Sequence, residues 1–150
     1  MGEIAERLSA QIKEAIKSGD RTRLQTVRLL ATSVRNREVE LGRDLTEDDL
    51  VEVATREMKR RKEAAEAYDR AGRAELAKRE RAERAILEAY VPEQLSEDEV
   101  RAAIEEAVAS TGATGPGDMG KVMGQVMGRL KGRVDGGEVN RLVRERLAGG

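Results

Sequence analysis

Residues 46–72 read TEDDLVEVATREMKRRKEAAEAYDRAG. Leu50, Val53, Ala54, Met58, Ala65, Tyr68 and Ala71 recur at three- and four-residue intervals, which on a helix places them along one side. Thr46 and Asp49 have the spacing of a capping box, with Asp in the place of the usual Glu or Gln, and Gly72 marks a stop. The stretch therefore predicts one long helix with an inward stripe. The period-two alternation that a half-buried strand requires occurs neither here nor elsewhere in the chain.

The same period extends in both directions. Toward the N-terminus, Ile4, Leu8, Ile12, Ala15 and Ile16 form one stripe, interrupted by Gly19-Asp20. Asp20 can cap a second helix carrying Leu24, Val27, Leu30, Ala31 and Val34, which should end near Gly42. Toward the C-terminus, a helix from Arg73 to about Ala89 has a thinner face of Leu76, Ile86, Leu87 and Tyr90. Val91-Pro92 breaks the pattern, because proline cannot donate a helix hydrogen bond and biases the residue before it away from helix. Ser96 and Glu99 then make a full capping box before Val100, Ala103, Ile104, Ala107 and Val108. Thr111 to Gly117 is a loop, a helix runs from about Asp118 to Leu130, and a last one follows Asp135-Gly136 with Val139, Leu142, Val143 and Leu147. The expected fold is all-α: an N-terminal four-helix part over residues 1–91 and a small C-terminal three-helix part over residues 92–150, hinged near Pro92.

Composition narrows the chemistry. The 150 residues include no His, Cys, Trp or Phe, and Tyr68 and Tyr90 are the only aromatic side chains. The core must be aliphatic. Thiolate and imidazole chemistry, and with them the commonest zinc sites and nucleophile–base pairs, are excluded. No phosphate-binding Gly-Lys-Ser/Thr loop is present, and no carboxylate cluster has metal-site spacing, so catalytic, cofactor and metal residues are all expected to be none. The absence of a signal-peptide core and of a membrane span gives a cytoplasmic expectation.

The net charge is −1, but it is unevenly distributed: residues 1–90 hold 20 basic and 19 acidic side chains, residues 91–120 hold 1 and 7, and residues 121–150 hold 7 and 3. The basic terminal segment can attract phosphate, while the acidic stretch beside it would repel a strand. Lys59-Arg60-Arg61-Lys62 is the densest basic run. It reads either as an exposed face paired in part with Glu63 and Glu66, or as a phosphate contact through Lys59 or Arg60. Met119, Met123 and Met127 read as core, with a partner groove as the alternative. Gly120, Gly124 and Gly128 each cost about 1 kcal/mol relative to Ala inside a helix. Close approach of a neighbouring helix is the favoured offset, and close approach of a ligand is the alternative. Lys131 to Gly136 reads as a turn with Asp135 as N-cap, or as a pair of cations flanking a phosphate site at a helix N-terminus.

These residues resemble the YqeY proteins and the matching tail domain of GatB, a subunit of the tRNA-dependent amidotransferase. The likeness covers nearly the whole chain. It rests on Lys59 with Arg61, Tyr68, Ala71-Gly72-Arg73, Leu76, Glu80, Glu83, Leu87, Tyr90-Val91-Pro92 and Leu95, then on Asp118 to Met123, Gly132 to Gly136 and Val139-Asn140. Val91 stands where the family usually has Leu, Val134 where Ala is usual, and Gly128 where Pro is frequent. The resemblance implies a helical two-part fold and contact with tRNA during conversion of misacylated Glu-tRNA or Asp-tRNA, in a carbon–nitrogen ligase system that uses glutamine as amido donor. Glutamine hydrolysis there belongs to another subunit, and nucleotide-dependent activation to a GatB catalytic domain that these residues do not contain, so the chain by itself is not expected to catalyse. Together with the basic terminal segment, the match points to Lys121, Arg129, Lys131 and Arg133 as tRNA contacts, with Gly120 and Gly132 admitting close backbone approach and Lys59 and Arg60 as further candidates. The competing expectation is a helical protein–protein interaction module that binds no nucleic acid, or a protein partner in tRNA-dependent amidation or translation.

Overall fold

A computed structural model describes residues 2–149. Seven α-helices and no strand occur among them: α1 Glu3–Ser18, α2 Arg21–Leu41, α3 Glu47–Arg70, α4 Ala74–Leu87, α5 Glu97–Thr111, α6 Met119–Leu130 and α7 Gly136–Ala148. The chain is all-α, and it divides into two compact units, Met1–Pro92 and Glu93–Gly150.

Helix ends follow local chemistry. The Asp20 carboxylate accepts the Arg23 N–H at 3.0 Å and starts α2. Both capping boxes are formed, Thr46 with Asp49 at α3 and Ser96 with Glu99 at α5. Gly42 ends α2 at φ 69°, a left-handed conformation that a Cβ would disfavour. The predicted helix from Arg73 to about Ala89 is shorter than its periodicity suggests. Its α-helical part stops at Leu87, and Glu88–Tyr90 tightens into a 3-10 turn before Val91 becomes extended ahead of Pro92.

In the first unit, α1 packs on α2, and α3 forms an antiparallel hairpin with α4 that also rests on α2. Its core gathers Ile4, Leu8, Val27, Leu30, Val34, Leu50, Val53, Met58 and Leu87, with Tyr90 and Val91 packed against it. Ile16 does not join its expected stripe: it is 53% exposed, at the end of α1 where Ala15 turns inward instead. In the second unit, α5, α6 and α7 enclose Val100, Ile104, Val122, Val126, Val139, Leu142 and Val143. Met119, Met123 and Met127 are half-buried against this core, so the methionine stripe is packing. Among the described residues no helix is long and apolar enough to cross a membrane.

Candidate nucleic-acid interface

The loop from α6 to α7 is held from outside as well as from within. The segment leading into α5 lies against it: the Leu95 N–H donates to the Arg133 carbonyl at 2.9 Å, and Gln94 Nε2 donates to the Gly132 carbonyl at 2.9 Å. The Arg133 guanidinium reaches back to the Glu93 carbonyl at 3.2 Å. Val134 points into the core, leaving the flanking Lys131 and Arg133 exposed. Gly132 has φ 81°, so the turn itself requires glycine there. Asp135 accepts the Gly137 N–H at 3.1 Å. The end of α7 that could have held a phosphate is therefore engaged by the chain's own carboxylate, and the turn reading of Lys131 to Gly136 is the one the geometry matches.

The charge asymmetry takes a different form in three dimensions. Arg129 pairs with Glu106 at 3.2 Å, Arg141 with Glu97 at 2.9 Å and with Glu145 at 3.0 Å, and Arg146 with Glu105. Acidic side chains of α5 are thus partners of the basic terminal segment. Lys121 is looser, 3.8 Å from Asp118. Asp118 is held below its ordinary pKa, first by the Thr114 N–H, and remains an anion beside that lysine.

On α6, an added Cβ at Gly120, Gly124 or Gly128 would meet nothing within 4 Å. The favoured expectation of a closely packed neighbouring helix is therefore overturned: this row faces open space. Gly120 lies beside Lys121, and Gly128 beside Arg129. The eight-residue step from Lys121 to Arg129 covers about 12 Å of helix. Backbone along the row is unusually open, with one exposed cation at either end.

In the first unit the basic run of α3 is split between surface and interior. Lys59 and Arg60 are exposed, whereas Arg61 is 6% exposed. On the exposed-face reading, Glu63 and Glu66 are expected to pair with parts of this run. The structure pairs Arg61 with Glu57 at 2.7 Å and Glu83 at 3.3 Å instead, because those carboxylates share the buried side of the α3–α4 hairpin. Ser33 donates to Glu57 at 2.8 Å, tying α2 to the same cluster. Burial alone would raise the Glu57 pKa, but bonds from Arg61 and Ser33 and the charges of Arg60 and Arg61 hold it below its ordinary value. Lys59 and Arg60 lie in the first unit, and Lys121, Arg129, Lys131 and Arg133 in the second. Among the described residues no group of three or more His, Cys, Asp or Glu could hold a metal ion.

The described residues thus form an all-helical chain, with an open glycine row and a clamped basic turn in the second unit. The family model for YqeY-like proteins matches residues 5–147. The chain belongs to that family. No curated protein matches it.

Proposed function

We propose that this chain is a non-catalytic, cytoplasmic tRNA-binding accessory module related to the tail of the glutamine-dependent Glu-tRNA/Asp-tRNA amidotransferase. The observation that supports this most is the open backbone row of α6, bordered by Lys121 and Arg129 and continuing into exposed Lys131 and Arg133. A phosphate backbone can approach such a face closely, and cations at its edges fix position without reading sequence. The segment has no aromatic side chain, so base stacking contributes nothing and recognition rests on shape and charge. The module needs no cofactor and no metal in this role.

Labelled tRNA titrated at several salt concentrations tests the reading. The double change Lys131→Ala, Arg133→Ala should flatten the dependence of log affinity on log salt by roughly 1.5–2 units. An absence of tRNA binding at low salt, or an unaltered slope, removes the assignment.

One observation favours a second reading, a helical protein–protein interaction module. Arg129, Arg141 and Arg146 are paired with acidic residues of α5, which reduces the charge left for phosphate. Binding to a protein through apolar surface would be comparatively insensitive to salt, so the same titration separates the two.

A further inference from the structure

Between α2, α3 and α4 of the first unit lies an open groove of about 470 Å³. This is within the size range of small-molecule sites, roughly 300–1,000 Å³. Arg61 lines it while being 6% exposed. Its Nε bonds Glu83, and its Nη1 bonds Glu57 through both side chain and carbonyl. Nη2 has no acceptor in these bonds and is not among the buried side-chain atoms that lack a partner, so its N–H donors remain within reach of the groove.

Two further arginines border the groove. Arg60 lies 3.6 Å from Glu57 and Arg79 lies 3.6 Å from Glu83, distances beyond a normal hydrogen bond, and their side chains are 74% and 58% exposed. Arg79 also donates to Gln25 at 2.8 Å, which holds it between α4 and α2. Each guanidinium retains donors for an incoming acceptor. Apolar wall is supplied by Leu29, 45% exposed, with half-buried Leu76 and Tyr68. The three arginines are balanced by Glu57, Glu80 and Glu83, so the groove has no net charge and holds a ligand by short-range contacts. Its preference is for a compact anion that exchanges the two long arginine–carboxylate contacts for short ones, attached to a flat body that can lie against tyrosine.

We propose that this groove binds a nucleoside monophosphate unit, with phosphate between Arg60 and Arg79 over Arg61 and the base against Tyr68. The unit can come from a free mononucleotide or from an unpaired nucleotide in an RNA strand. Arg60 is also a candidate tRNA contact, whereas the contacts on which the proposed function rests lie on α6 and the turn after it, in the other unit.

The two tyrosines make the test direct. In a Tyr90→Phe protein, Tyr68 is the only intrinsic fluorophore. AMP should change its emission saturably, and adenosine or inorganic phosphate alone should bind at least about tenfold more weakly. Arg60→Ala with Arg79→Ala should weaken AMP by about tenfold or more at an unchanged melting temperature. The Lys pair at the same positions, which retains charge and fold but loses the planar donor fork, should weaken it in the same direction. A single-stranded RNA oligonucleotide binding more tightly than AMP identifies the strand as the source, and AMP binding as well or better identifies the free nucleotide. No response of Tyr68 to millimolar AMP, equal binding of adenosine and AMP, or unchanged affinity in both arginine variants overturns the proposal.

Discussion

Arg61 joins Glu57 and Glu83 in a place where all three residues are less than a tenth exposed. Truncating one member leaves charge buried without its partner, so Arg61→Ala should destabilise the first unit by about 3–5 kcal/mol in urea or thermal melts. Replacing all three by apolar residues of similar volume should recover most of that loss. Glu57 provides a pH prediction. Its folded-state pKa lies below the ordinary 4.5, so its contribution to stability is present above that value and is lost as pH falls through the lowered one. Glu57→Gln should be less stable than wild type at neutral pH, with the gap narrowing below about pH 4. A gap constant from pH 7 to pH 3 would show that the carboxylate is not responsible. This cluster was partly legible: Glu57 and Arg61 fall on the same turns as Leu50, Ala54, Met58 and Ala65. Charged residues on an inward stripe signal a buried pair, but periodicity could not say that Glu83 from the next helix completes it.

At the scale of the element, α6 departs most from what sequence reasoning favoured. Its glycines have helical backbone and open space where a side chain would go, so Gly120, Gly124 and Gly128 can each become Ala without a clash. Each change should stabilise the second unit by about 0.4–1 kcal/mol, read by thermal melting. Loss of tRNA binding in the same stabilised variants would connect the open row to function; unchanged binding would detach it. Helix starts were readable because capping is local: Asp20, Thr46, Ser96 and Asp135 each act at the positions their spacing suggested. Helix ends and flanking faces were less so. The end of α4 depends on Pro92 several residues on, and the openness around the glycines depends on where α5 and α7 pack, which spacing along α6 does not encode.

For the whole molecule, the two units have separate aliphatic cores, and both tyrosines lie in the first. Tyrosine emission therefore follows the first unit alone, while far-ultraviolet circular dichroism follows both. The two signals should give non-coincident denaturation curves. Coincident curves would mean that the units unfold as one. The all-helical class was fully legible, because one period runs through every segment and nothing competes with it. The charge around the proposed contacts Lys121, Arg129, Lys131 and Arg133 was not, since linear charge does not show that the acids pairing with Arg129, Arg141 and Arg146 lie on another helix. The bare row on α6 also bears on native-state opening. A helix carrying three glycines has little intrinsic tendency to stay wound and depends on Val122 and Val126 being pressed into the core. Its solvent-side amides should thus exchange with deuterium sooner than those of α5 or α7, marking α6 as the part of the second unit that loosens first.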